Sequence, residues 1–237
     1  MTARIYCDFD GTVTTTDVTD LLLEAFADPS WREIEAQWQS GLIGSATCMA
    51  RQVALMRCGR GALDSLLDSV SIDPGFPCLV AFCRSIGASL TIVSDGLEYA
   101  IERILGRAGF AELPIIANRL LFLSEERYAM VSPHASPVCL SAAGTCKCAE
   151  VGRTCGNYPT ILIGDGRSDF CVAGRVDFVL AKDALVQFCS RQDIPHAAFS
   201  GLQEVPELLA AYLSPNVRAP VVTSSVPALI ANSQGLS

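Results

Sequence analysis

The chain has 237 residues, with 17 Lys and Arg against 25 Asp and Glu, so its formal charge is −8. Half of the residues are apolar and 18% are charged, enough apolar surface to offset ordering entropy and to exclude a wholly disordered chain. No Lys/Arg cluster supplies the electrostatic footprint that nucleic acid or an anionic membrane needs, so neither is an expected partner.

No apolar run approaches the roughly 18 to 20 residues of a membrane helix. The first ten residues carry acids rather than the apolar core of an export signal. Eleven cysteines, an odd number, then read as reduced thiols of a cytoplasmic protein, mostly small buried apolar residues.

The first predicted strand is Arg4 to Cys7, ending at Asp8. Roughly 75 residues separate it from the next strand, far more than one crossover helix needs. Amphipathic helical patterns run over 17–26, 31–40, 46–56 and 61–70, with Asp28-Pro29-Ser30 and Gly41 as punctuation. Pro74-Gly75-Phe76-Pro77 marks the return to the sheet, so residues 14–76 read as a helical insertion over the strand ends.

Ser89 to Val93 is the second strand, ending at Ser94, with a helix from Leu97 to Ala108. Leu120 to Val138 is irregular and reads as a hairpin or a loop. Lys147 opens a helical pattern that runs to Arg153. Thr160 to Ile163 leads into Gly164-Asp165-Gly166, and a helix starts near Asp169. Phe178 to Leu180 is a further strand, followed by a helix from Ala184 to Arg191. Beyond Leu213 the residues carry one charge, Arg218, and three prolines, which suits a flexible tail or an arm packed on a partner.

These strands are apolar on both faces, as in a parallel sheet covered by helices on both sides. The expected fold is α/β, a doubly wound parallel sheet. Its core spans 1–13 and 77–213, the helical cap 14–76 and the tail 214–237. Ligands of such folds sit at the carboxyl ends of the strands, where Asp8, Ser94 and Asp165 fall.

Asp8-Phe9-Asp10-Gly11-Thr12 sets two carboxylates two residues apart at a strand end, where both can enter one pocket. Such a pair can divide labour, one ionised and one protonated, or can simply be two solvated acids capping a helix. Gly164-Asp165-Gly166-Arg167-Ser168-Asp169 repeats the layout: an acid between glycines, then a second acid suited to capping a helix. Acids gathered from two strands need a cation, and a hard divalent ion with oxygen ligands, usually Mg²⁺, meets that need. Ser94-Asp95-Gly96 lies where a hydroxyl and free N–H groups could cradle an anion. Lys147 is the cation available to the acids.

Taken in order, Asp-x-Asp-Gly-Thr, Ser-x-Gly, a lysine and Gly-Asp-Gly-x-Ser-Asp resemble the haloacid dehalogenase superfamily of phosphohydrolases, over residues 5 to about 212. The insertion after the first motif is similar to the C1 cap of its phosphoserine-phosphatase-like branch. Cys146-Lys147-Cys148, Val179-Leu180-Ala181-Lys182-Asp183, Cys189 and Pro195-His196 resemble the MtnX-type phosphatases, which act on 2-hydroxy-3-keto-5-methylthiopentenyl-1-phosphate.

The resemblance implies that Asp8 attacks phosphorus to give an aspartyl-phosphate, and that Asp10 protonates the leaving alcohol and then activates water. It implies Mg²⁺ held by Asp8, the Asp10 carbonyl and Asp165, with Asp169 in support. Ser94, the Asp95 amide and Lys147 would hold phosphoryl oxygens, with Ser168 beside them.

Two departures bear on substrate. The residue nine past the nucleophile is Asp17 where phosphoserine phosphatases carry Glu for the substrate ammonium. Their cap arginine falls at Gln52, with Arg51 adjacent, which disfavours phosphoserine. The second motif has Asp95 where glycine is usual, an extra acid beside the phosphate unless it turns away.

Cys139, Cys146, Cys148 and Cys155 surround Lys147; free thiols are expected, since Cys-x-Cys is tighter than the usual zinc spacing. His134 and His196 have no partner pattern. Trp31 and Trp38, seven apart, share a helical face and serve the cap core or the pocket.

The reading is therefore a Mg²⁺-dependent phosphomonoesterase of a small phosphorylated metabolite, with a homodimer left open. Its rivals are a phosphoserine phosphatase, a phosphotransferase on the same scaffold, and a receiver-like phosphoacceptor domain.

Overall fold

A strand buried between two helical layers must be apolar on both faces, and β1 (Arg4–Cys7) meets that need: Ile5, Tyr6 and Cys7 are all buried. The computed structural model describes residues 2–152 and 158–214. The expected tail beyond 214, together with Arg153 and Cys155, lies outside the described residues.

After β1 come four helices, α1 (Val18–Phe26), α2 (Trp31–Gln39), α3 (Ser45–Val53) and α4 (Arg60–Asp68), then α5 (Phe76–Ser85). The chain continues through β2 (Ser89–Leu97), α6 (Glu98–Arg107), β3 (Ile115–Phe122), β4 (Tyr128–Val131) and α7 (Lys147–Gly152). β5 (Thr160–Gly164) runs into a single 3-10 turn at Arg167–Asp169 and the short α8 (Phe170–Ala173). β6 (Phe178–Ala181), α9 (Asp183–Arg191), β7 (His196–Ala198) and α10 (Val205–Leu213) complete it.

The sheet has seven strands in the order β4-β3-β2-β1-β5-β6-β7. All pairs are parallel except β3 with β4. Alternate residues feed the two faces. Ile5, Cys7, Ile161 and Ile163 join one apolar cluster with Leu79, Ile104 and Leu209. Tyr6, Leu162 and Val179 join the other with Val151, Val172 and Leu185. This is the doubly wound sheet expected, with an antiparallel edge.

The sheet extends beyond the strands read from the sequence, and α5 and α10 add helices that the reading did not place. β2 does not end at Ser94 but runs through Ser94-Asp95-Gly96 to Leu97, with a shift of register against β3 between Val93 and Leu97. Of the two forms expected for the stretch at 120–138, the hairpin is the one present, though its first strand, β3, starts earlier, at Ile115, before turning back as β4. Its interior Asn118-Arg119 breaks the apolar run that would have marked it. β7 was not expected, because His196-Ala197-Ala198 has no branched apolar residue.

Thr14 and Ile72 form an antiparallel bridge where the helical segment leaves and rejoins the sheet. The Asp73 N–H donates to the Val13 carbonyl at 2.7 Å beside it. α1 and α4 bury Leu22, Leu23, Leu63 and Leu67 in the same cluster as Ile5 and Ile92, so one apolar core holds both parts together.

Candidate active site

Register brings the motifs together. Cys7 pairs with Ile92 on one side and Ile163 on the other, so the residues that follow leave the sheet side by side. The Asp8 N–H donates to the Ile163 carbonyl at 2.9 Å, fixing the tip of β1 against β5.

At that level the Lys147 ammonium lies 2.9 Å from Asp8 Oδ1 and 2.7 Å from Asp169 Oδ1. Burial alone would drive the proton off this lysine; Asp169 and then Asp8 overcome that and hold it well above the usual lysine range. Ser168 Oγ accepts from Lys147 at 3.1 Å and donates to Asp8 Oδ2 at 3.2 Å. The Phe9 N–H donates to Asp8 Oδ1 at 2.8 Å. Thr12 Oγ1 donates to Asp165 Oδ1 at 3.0 Å, a positioning contact that the sequence reading missed.

The glycines around Asp165 have unequal roles. A Cβ on Gly164 would stand 2.3 Å from Asp169 Oδ2, whereas one on Gly166 would meet nothing. Gly164 therefore makes room for Asp169, whose Oδ2 accepts from the Asp165 N–H at 3.2 Å.

Asp10 Oδ1 accepts from the Val18 N–H at 2.8 Å, at the start of α1. Burial, and then the charge of Asp17, raise the Asp10 carboxyl well above the usual range, against the pull of that N–H. Asp17 is the N-cap of α1, accepting from the Asp20 N–H at 2.9 Å, and its carboxylate faces the same cavity. Burial raises Asp17 also, and it lifts Asp20 to about 6 together with Asp17 and Glu35.

Ser94 is buried, and its Oγ accepts from the Gly96 N–H at 2.9 Å. Both Asp95 oxygens are engaged: Oδ1 accepts from the Thr145 N–H at 2.8 Å, and Oδ2 from Ser45 Oγ at 2.5 Å. The acid expected to sit awkwardly beside a phosphate is thus tied into the surrounding protein.

The donor set fits a hard divalent ion. Carboxylate oxygens of Asp8, Asp165 and Asp169 all lie within 4.8 Å of one another. Lys147 pairs with two of them, which leaves the group short of positive charge. Burial and then the charge of Asp8 push Asp165 up to about 6 and Asp169 up to about 8, the latter against the pull of Lys147. Among the described residues this is the one group of three such ligands; Cys139, Cys146 and Cys148 are free thiols that join none.

Above the aspartates opens a cavity of about 700 Å³. Ser45, Cys48, Met49 and Gln52 of α3 line it, spaced i, i+3, i+4 and i+7 on one helical face. That spacing was readable in the sequence once the helix was placed. Gln52 is buried and faces the cavity, donating from Nε2 to Glu35 Oε2 at 3.0 Å. Arg51 instead turns outward to Gln37 at 2.8 Å. Glu35, which the sequence reading missed, shares its face of α2 with Trp38. Trp38 lines the cavity with the Arg167 guanidinium 5.0 Å from its ring centroid, whereas Trp31 is buried in the core. His134 Nδ1 lies 3.3 Å from Glu150, and His196 Nδ1 lies 2.8 Å from the Ile194 carbonyl, both outside the cavity lining.

Known proteins are similar to this chain in sequence and in fold. The family model of the haloacid dehalogenase-like hydrolases matches residues 5–174. The 2-hydroxy-3-keto-5-methylthiopentenyl-1-phosphate phosphatase of Brevibacillus brevis is 30% identical over 209 residues, 86% of this chain and 94% of its own. The phosphatase of that name from Geobacillus thermodenitrificans is 29% identical over 211 residues, with the same two coverages of 86% and 94%. Among solved structures, a phospho-aspartyl intermediate analogue of phosphoserine phosphatase superposes with a TM-score of 0.66 at 14% identity. It covers 87% of this chain and 98% of its own, a likeness of fold.

Proposed function

The chain belongs to the haloacid dehalogenase-like hydrolases and is a phosphatase, and from that premise we propose a Mg²⁺-dependent phosphomonoesterase that works through an aspartyl-phosphate on Asp8. The observation that carries the reading is the meeting of Asp8 and Asp165, at the tips of adjacent strands, with Asp169 and Lys147, below a cavity wide enough for a small metabolite. Residues 14–76 act as the cap of that cavity over a core of 1–13 and 77–213.

An Asp8 oxygen attacks phosphorus as the bond to the leaving alcohol oxygen breaks, and Asp10 gives that oxygen its proton. The raised Asp10 carboxyl supports the role of proton donor. Asp10, now ionised, takes a proton from water as the water oxygen attacks phosphorus. The bond to Asp8 breaks and inorganic phosphate leaves. Lys147 and Ser168 hold Asp8 in its attacking position and offset negative charge on the phosphoryl oxygens; Ser94 and the Asp95 N–H complete the cradle.

Asp8, the Asp10 carbonyl, Asp165 and Asp169 would hold Mg²⁺, which when bound neutralises charge developing on the transferred group. Lys147, 2.9 Å from Asp8 Oδ1 and 2.7 Å from Asp169 Oδ1, would share the neutralisation of these carboxylates with the ion.

The substrate we propose is 2-hydroxy-3-keto-5-methylthiopentenyl-1-phosphate. Glu35 and Gln52 support it over phosphoserine: an acid and an amide stand where a substrate carboxylate would need a cation. Leu42 and Leu140 supply an apolar lip suited to a thioether tail. We place the enzyme in the cytoplasm; among the described residues no helix is long and apolar enough to cross a membrane.

The test measures phosphate release from this ester and from phosphoserine, with Mg²⁺ and after chelation. Release from the keto ester alone, lost on chelation and restored by Mg²⁺, is the expected result. Preference for phosphoserine overturns the substrate, and full activity in chelator overturns the metal.

A further inference from the structure

Asp95 stands where four separate parts of the chain meet. Its Oδ1 accepts from the Thr145 N–H at 2.8 Å and from Asn118 Nδ2 at 3.1 Å, and Oδ2 accepts from Ser45 Oγ at 2.5 Å. Asn118 Nδ2 also reaches the Asp95 carbonyl at 2.5 Å. Thr145 lies two residues before Lys147, Asn118 is on β3, and Ser45 is the first residue of α3. One carboxylate therefore touches the lysine segment, the sheet and the helix that roofs the cavity.

A second set of contacts reinforces the junction. α3 has no side-chain cap at Gly44, and its first N–H groups need acceptors. The Ala46 N–H donates to the Ala142 carbonyl at 3.0 Å, and the Ser45 N–H to the Ser141 carbonyl at 3.4 Å. Ala142 adopts a φ of 45°, a costly conformation for a residue with a side chain, at this point of docking. A Cβ on Gly44 would stand 2.5 Å from Ala142 Cβ, so the close seat of α3 on this loop depends on glycine there.

We propose that the Asp95 side chain is a latch, a positioning residue that couples the seating of α3 over the cavity to the placement of Lys147 beside Asp8. A displaced α3 withdraws Ser45 from Asp95 Oδ2, leaving the carboxylate held through Oδ1 alone, which weakens its hold on the Thr145 N–H and on the segment leading to Lys147. The seated roof and the ordered lysine then form one state. The proposal rests on the phosphatase reading for its kinetic readout alone.

The test uses the full chain, with Ser45→Ala, Asp95→Gly, Asp95→Asn and the Ser45→Ala/Asp95→Gly pair. Amide hydrogen exchange is followed over 45–48 and 139–146, and kcat and KM are measured on p-nitrophenyl phosphate with Mg²⁺. Asp95→Gly should speed exchange in both segments, leave β1 and β5 protected as before, and lower kcat about tenfold or more, since small misplacements of a catalytic group are costly. Ser45→Ala should speed exchange at 45–48 and raise KM by a larger factor than it lowers kcat. Asp95→Asn, whose amide oxygen still accepts from the Thr145 N–H, should recover most of kcat. In the pair, Ser45→Ala should add nothing to Asp95→Gly.

Ordinary exchange at 45–48 and 139–146 in Asp95→Gly overturns the latch, as does acceleration spread evenly through the sheet or additive effects in the pair. If Asp95→Gly does not fold, unaltered exchange at 45–48 in Ser45→Ala overturns it. A chain that never hydrolyses the aryl phosphate refutes the phosphatase reading, while the exchange results still decide the latch.

Discussion

The Lys147 ammonium stands 2.9 Å from Oδ1 of Asp8, with both side chains all but sealed from water. A buried ion pair adds little stability over a well-packed apolar pair, yet removing one partner strands the other. Lys147→Met should therefore abolish phosphate release and cost about 3–5 kcal/mol of stability, because Asp8 and Asp169 lose their shared cation. Urea unfolding checks the second part; unchanged stability would mean the pair is not formed.

Asp8 and Asp10 differ in what their amides should do. Asp8→Asn removes the proposed nucleophile and should end turnover. Asp10→Asn removes only the proposed proton donor and should lower kcat by about 10²–10⁴-fold while the fold persists. Rates on an aryl phosphate, whose leaving group needs less protonation than an alcohol, should fall less for Asp10→Asn than rates on an alkyl ester. Equal losses on both esters would take the proton-donor role away from Asp10.

Glu35 sets the consequence of redesigning the roof. Gln52→Arg places a cation where a substrate carboxylate could meet it, but Glu35, bonded to Gln52 at 3.0 Å, would capture the guanidinium. The single variant should gain little phosphoserine hydrolysis. Glu35→Gln with Gln52→Arg should raise kcat/KM for phosphoserine by about tenfold or more, the scale of one freed charge-assisted contact. Equal gains in the single and double variants would show that Glu35 does not compete.

Asp20 supplies a pH signature in stability. Burial, then Asp17 and Glu35, raise its carboxyl to about 6, above an unfolded value of about 3.9. A raised acid favours the fold below its unfolded pKa, and that advantage fades as pH climbs through the folded pKa. Asp20→Asn escapes the loss. Solvent reaches this carboxyl, so the effect is discounted: a rise in Tm of about 2 °C near pH 7.5, vanishing near pH 4. Equal Tm gains at both values would trace the effect to something other than ionisation.

The parallel core, and the gathering of its motifs on one rim, were legible in the amino-acid sequence. Strands such as Ile161-Leu162-Ile163 are apolar on consecutive residues, and only a sheet covered on both faces buries every one of them. Parallel strands of one sheet end on one side, so motifs that follow them, Asp8 and Asp165, had to share a rim. Local spacing carried the helix that became α3, because helical period is a property of adjacent residues, but not which of its faces lines the cavity.

The tertiary structure alone decided which polar groups meet across the fold. Gln52 finds Glu35 seventeen positions away, and Ser45 finds Asp95 across fifty. β7, His196-Ala197-Ala198, lacks large apolar side chains and is fixed beside β6 by backbone pairing. Such contacts leave no periodic trace in the chain: a hydrogen bond depends on distance and angle between two groups, and those are set by the packing of everything between them.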